Sequence, residues 1–185
     1  MGFLNREDLE KLGFKSIGKN VLISDKCSVY NPEKISIGNN VRVDDFCILS
    51  GDIQIGNYIH ISAYSALFGG AGIVMHDFSG LSSRGTVYSV SDDYSGEFLT
   101  NPMVPEKYRK VQCEKVVFEK HSLVGAGSII LPGVILKEGT AVGANSVVAK
   151  STHEWSVYAG TPAKKLKNRK KDLLELEKKL LEEVK

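Results

Sequence analysis

Large apolar residues return every six positions along most of the chain: Ile17, Ile23 and Val29; then Ile37, Val43, Leu49, Ile55, Ile61 and Leu67; then Met75, Leu81 and Val87; then Phe118, Val124, Ile130, Leu136, Val142 and Val148. A helix with 3.6 residues per turn would scatter such positions over several faces, whereas an even interval keeps them on one face of an extended strand. Four residues after many of them stands a second inward position, often small: Val21, Cys27, Val41, Cys47, Ile59, Ser65, Ser79, Ser122, Ser128, Thr140 and Ser146. Directly behind the apolar residue come Gly18, Gly38, Gly56, Gly125 and Gly143, with turn formers such as Asn39 and Asn57 after them. One short strand and one corner per six residues, three to a coil, predict a three-sided prism whose coils hydrogen-bond to one another: an all-β parallel solenoid.

The beat is broken three times. Two extra residues enter after Val29, where Pro32 fits a turn, and two more after Leu67, where "GGAG" reads as a flexible bulge. Between Val87 and Phe118 a polar segment with Tyr94, Phe98, Met103, Tyr108, Pro102 and Pro105 must leave the prism, and loops of this length are usually functional. We read it as an arm. At the start, "NREDLEKLG" predicts a short helix with Asn5 as its N-cap that plugs the solenoid. At the end, Leu173, Leu176, Leu180 and Val184 recur at helical spacing, predicting a helix that caps the last coil, with joining its symmetry mates as the alternative. Beyond Lys167 the basic run before it reads as a solvated helix start. The chain thus divides into a helical cap (1–16), a solenoid (17–163) with an excursion (88–116), and a basic segment with the final helix (164–185).

A net charge of +2 on 185 residues gives no reason to expect a nucleic-acid partner. Cys27, Cys47 and Cys113 form no CxxC pair, and no apolar run reaches membrane-spanning length, so a reducing, cytoplasmic setting is expected. His60, His76, His121 and His153 lack the spacing of a metal site, and no metal is expected.

The hexads, and above all "VGAGSIILPGVILKEGTAVGANSVVAKSTHEWSVYAGTPAKKLK", resemble the left-handed β-helix acyltransferases of the hexapeptide-repeat family. The resemblance covers residues 17–167. It implies a homotrimer that takes acetyl-CoA as co-substrate in the groove between neighbouring prisms, with Gly125, Ala126, Gly143 and Ala144 along the pantetheine arm. Gly160, Thr161, Pro162, Ala163 and Lys164 resemble the family's terminal Gly-Asn-Pro-Ala-Lys motif, with threonine in place of asparagine. Lys150, Lys164 and Lys165 are candidates for the coenzyme phosphates.

Acyl transfer needs a base for the attacking hydroxyl or amine and donors for the developing oxyanion. In the maltose, galactoside and xenobiotic acetyltransferases that base is a histidine at the start of the excursion, where this chain has "VYSVSDD" with Asp92 and Asp93. His76, beside Asp77 and before the arm, is the first candidate, and His60 the second. His121 and His153 read as solvated surface groups. Arg84, Tyr88 and Tyr94 suit a sugar and its phosphate, while Ser82, Ser83 and Ser89 read as turn residues. The expected acceptor is a sugar or nucleotide-linked amino sugar of surface-polysaccharide synthesis; a galactoside- or maltose-like sugar, an antibiotic, or a silent scaffold are the rivals.

Overall fold

The computed structural model describes residues 2–184. It is a three-sided parallel β-helix of about seven turns with a short helix at each end. Every in-phase residue falls into one of three stacked columns. Face 1 carries Ile17, Ile37, Ile55, Met75, Phe118 and Leu136 in register. Face 2 carries Ile23, Val43, Ile61, Leu81, Val124, Val142 and Tyr158. Face 3 carries Val29, Leu49, Leu67, Val87, Ile130 and Val148. These side chains are buried except at the open lower end, where Ile17 and Val29 are only partly covered. The column is therefore one continuous core in which each coil hydrogen-bonds to the next.

Corners explain the glycines and asparagines. A Cβ on Gly38 would lie 2.6 Å from the carbonyl oxygen of Gly56 in the next coil, so no other residue fits without moving backbone. Asn57 Oδ1 accepts from the Asn39 N–H at 2.8 Å, and Asp77 Oδ1 accepts from the Asn57 N–H at 2.7 Å, which ties each corner to the one below.

Pro32–Lys34 forms the expected turn, as a single 3₁₀ segment. The bulge expected at "GGAG" is present: Ala66–Met75 is one strand that rounds the corner from face 3 to face 1, and its register against the coil below shifts there, so that Gly70, Ala71 and Gly72 stand opposite Asp52 alone. Its glycines are there for close approach, since a Cβ on Gly69 would come within 2.6 Å of the Asp52 carbonyl oxygen, and the Ala71 N–H donates to Ser89 Oγ at 2.9 Å.

The arm leaves the prism at this same edge. Val90–Asp92 pairs antiparallel with Val111–Cys113 at its root, and Tyr94 and Met103 near its tip are more than nine-tenths exposed. The two strands that flank it, Thr86–Tyr88 and Val116–Phe118, keep solenoid register with Ala66–Phe68 and Ile73–Met75.

At the lower end helix α1, Arg6–Lys11, has the Asn5 side chain accepting from the Asp8 N–H at 2.9 Å, inserts Leu9 into the core, and donates from Arg6 to the Gly18 carbonyl at 2.6 Å. At the upper end Lys164–Asn168 is a strand, not anticipated from the sequence, that turns back antiparallel on Ser156–Ala159. Helix α2, Leu173–Glu183, then does not cover the open coil but descends along the outside, reaching residues near Asn39, Asn40 and Asn57. The reversed strand, whose missing parallel partner the sequence pattern cannot announce, is what terminates the sheet.

Candidate active site

Three edges separate the three faces, and the sequence candidates divide among them. The edge from face 2 to face 3 carries Ser82–Arg84, then Gly125–Ala126 one coil up, then Gly143–Ala144, then Thr161, whose hydroxyl donates to the Asn145 carbonyl at 3.4 Å. Backbone hydrogen bonds join its levels: the Gly127 N–H donates to the Ser83 carbonyl and the Asn145 N–H to the Ala126 carbonyl, at 2.9 and 2.8 Å. Above Arg84 no side chain longer than asparagine or threonine projects from these corners. The smallness has a structural cause as well, because a Cβ on Gly125 would meet the Ala144 nitrogen at 2.6 Å. Arg84 has a left-handed backbone, φ 60°, and lays its guanidinium over Tyr64, 5.8 Å from the ring centre. Lys164 and Lys165 are exposed at the top of face 2 beside this edge, whereas Lys150 follows Val148 and stands at the edge from face 3 to face 1.

That third edge holds the arm. Tyr88 stacks on Phe68 at 5.2 Å at its root, and Tyr94 projects into solvent. The two aspartates differ. Asp93 Oδ2 accepts from the Ser95 hydroxyl at 2.7 Å and from the Ser95 and Gly96 N–H groups, and the Ser95 bond above all holds its carboxyl below the usual carboxylate range. It is a turn-forming residue and a weak base. Among the described residues the Asp92 carboxylate accepts only the Asn101 N–H, at 3.2 Å through Oδ2.

His76 stands on the remaining edge, between faces 1 and 2, with the whole of face 1 between it and the arm's root. Its imidazole is exposed, and Asp77 does not orient it: that carboxylate is occupied by the backbone N–H and side-chain amide of Asn57. His60 projects from face 2, where its Nε2–H donates to Asp44 Oδ2 at 2.8 Å. The same strand brings Ser62 Oγ to 3.5 Å from Nδ1. Arg42 Nε donates to the other Asp44 oxygen at 2.7 Å. Partial burial alone would raise the Asp44 carboxyl, but the bonds from Arg42 and His60 outweigh it and hold it below the ordinary value.

No protein-family model matches the chain. Over 180 residues, 96% of this chain and 94% of the other, it is 47% identical to a dTDP-4-amino-4,6-dideoxy-D-glucose acyltransferase of Escherichia coli. AntD, an N-acyltransferase from Bacillus cereus crystallised with dTDP and 3-hydroxybutyryl-CoA, superposes with a TM-score of 0.97 and 53% identity over 98% of this chain and 97% of its own. A putative lipopolysaccharide O-acetyltransferase of Escherichia coli is 28% identical over 76% of the chain and 75% of its own length. The chain belongs to the hexapeptide-repeat acyltransferases.

In this acyltransferase one residue read as solvated turns out to be structural. His121 is only 6% exposed; it stacks on Phe78, 5.3 Å between ring centres, and its Nε2–H donates to Glu177 of α2 at 2.8 Å. Lys120 reaches the second Glu177 oxygen at 2.5 Å, and Arg169 donates to the carbonyls of His121 and Gly139. This clamp holds α2 against face 2 beside a cleft of about 430 Å³, lined in part by Tyr58, His60, Leu123 and Leu176. The sequence did hold a sign, since Tyr58, Phe78 and His121 occupy equivalent corner positions in successive coils, but nothing in it pairs His121 with Glu177. Burial pulls the Glu177 carboxyl up, yet the bonds from Lys120 and His121 more than offset it and lower it overall. A depressed carboxyl stabilises the fold at neutral pH, and that contribution is lost as pH falls through the range below about 4.3. Glu177→Gln is therefore expected to melt at lower temperature than the wild type at pH 7 and to close that gap towards pH 3, measured by circular dichroism.

Proposed function

We propose that this acyltransferase moves an acetyl group from acetyl-CoA to the amine of a dTDP-linked 4-amino-4,6-dideoxy sugar, for surface-polysaccharide synthesis in the cytoplasm. The observation that carries the reading is the full-length similarity to an amino-sugar acyltransferase and to an N-acyltransferase crystallised with dTDP-4-amino-4,6-dideoxyglucose, on a fold whose face 2–face 3 edge is bare above Arg84. Pantetheine runs up that edge past Gly125–Ala126 and Gly143–Ala144 to Thr161, with Lys164 and Lys165 beside the phosphates. Lys150 takes no part. Arg84 receives the acceptor's diphosphate, and Tyr88 and Tyr94 border its sugar.

The active enzyme is a homotrimer. One protomer holds the bare edge and the arm on different corners of its prism, so only a neighbouring copy can bring Asp92 to the thioester. Asp92 serves as general base. AntD was crystallised as variants of one serine and of one aspartate ten residues further on, with coenzyme A and either dTDP or dTDP-4-amino-4,6-dideoxyglucose. The same spacing joins Ser82 to Asp92 and Ser83 to Asp93 here, and Asp93 is already committed to its turn. His76, without an orienting partner, is given no role.

Thiol release from acetyl-CoA tests the reading. Turnover is expected with dTDP-4-amino-4,6-dideoxyglucose and not with free galactosides, maltose or chloramphenicol; the reverse ranking would replace the proposed acceptor. Sedimentation of the same sample at three times the monomer mass is expected.

A further inference from the structure

The chemistry of an amine acceptor requires more than one proton to move. At neutral pH a sugar amine arrives largely as its ammonium ion, R–NH₃⁺. Attack on the thioester forms the C–N bond and breaks the C–S bond, giving R–NH–CO–CH₃ and coenzyme A. Of the three nitrogen protons one remains on the amide and one leaves with the thiolate as the free thiol. The third must pass to solvent, and a group must take it before the lone pair can attack.

We infer that His60, fixed by Asp44, is the group through which that third proton leaves; the inference rests on the acceptor reading above. Asp44 and Ser62 occupy, in the two coils below, the corner position that Ser82 holds, so the pair is placed at the foot of the edge assigned to the acceptor. The ionised Asp44 can only accept, which puts the imidazole hydrogen on Nε2 and leaves Nδ1 as the basic nitrogen, on the side of Ser62. Half of the His60 side chain is exposed, giving the proton a way out, while Asp44 is 16% exposed and held from its other side by Arg42.

Other charged groups near the imidazole are committed elsewhere. Across the cleft Glu177 is bound by Lys120 and His121, and Arg169 by two backbone carbonyls; Gly80, the neighbour from the coil above, brings no charge. Asp44 is thus a positioning residue, which fixes the ring and its tautomer through the bond to Nε2.

The test is the pH profile of kcat/KM for dTDP-4-amino-4,6-dideoxyglucose with acetyl-CoA. In His60→Ala the loss is expected to be roughly 10²-fold on the acid side and to shrink as pH rises and the amine arrives already neutral, with KM for acetyl-CoA unchanged as the control for folding. Asp44→Asn should show part of the same acid-side loss with KM for acetyl-CoA unchanged, because the ring is no longer held with its hydrogen on Nε2 and Nδ1 free to accept. A loss of the same size at every pH in His60→Ala, or no loss, would overturn the inference and leave the acceptor reading standing. So would an Asp44→Asn enzyme with the wild-type rate on the acid side. A wild-type enzyme that does not turn this acceptor over would remove both.

Discussion

Asp92→Asn is expected to lower kcat by about 10²–10⁴-fold, the usual share of a general base, with coenzyme A bound as tightly as by the wild type. The amide keeps the size of the side chain and can still accept the Asn101 N–H, so the arm's root retains its shape while the proton acceptor disappears. Two companion variants make the result specific. In Asp93→Asn the turn at Ser95 and Gly96 is weakened, so the arm loosens and KM for the acceptor rises more than kcat falls. In His76→Ala turnover should stay close to wild type, because that imidazole is exposed on the edge away from the arm and has no side-chain partner among the described residues. Steady-state kinetics on the three variants, with a direct coenzyme A titration, decides among the aspartates and the histidine. A His76→Ala enzyme crippled in kcat would return the role to that residue.

The largest effect on stability is expected at Phe118. Its ring is fully buried on face 1, in register between Met75 below and Leu136 above, at the point where the chain re-enters the prism after the arm. Truncation to alanine removes most of a large apolar side chain and leaves a void that stiff neighbouring strands cannot collapse to fill. Phe118→Ala should cost about 3–5 kcal/mol of unfolding free energy, read from the denaturant midpoint at unchanged slope. Because solenoid stability is transmitted between adjoining coils, the damage should spread to the Val116–Phe118 strand and so to the arm's return.

The fold could be read from residue types alone because a solenoid repeats its physics. Each apolar position, each corner glycine and each small inward residue reports on the same local geometry, and the registers of all three faces follow the beat across even the long excursion. The site was less legible. Spacing placed Asp92 on the arm and Gly125 and Gly143 on an edge, but which edge a residue occupies depends on counting corners through the irregular steps after Val29 and Leu67. For His76, which precedes the arm in the chain, that count leads to the edge between faces 1 and 2, one corner beyond the arm's root. The partnership of His60 with Asp44 joins neighbouring coils, and that of His121 with Glu177 joins the prism to a helix outside the repeat. The reversed strand Lys164–Asn168 was hidden for a related reason, since a lysine-rich segment that adds an outermost strand needs no apolar alternation.

The manner in which the arm is inserted bears on how such enzymes diversify. Tyr88 and Val116, where it departs and returns, are each held by the coil beneath as though nothing intervened. The scaffold therefore does not register how long the insertion is or what it contains. Mutation can lengthen, shorten or rewrite it without a compensating change in the column, so that one corner of the molecule is free to vary while the rest stays as it was.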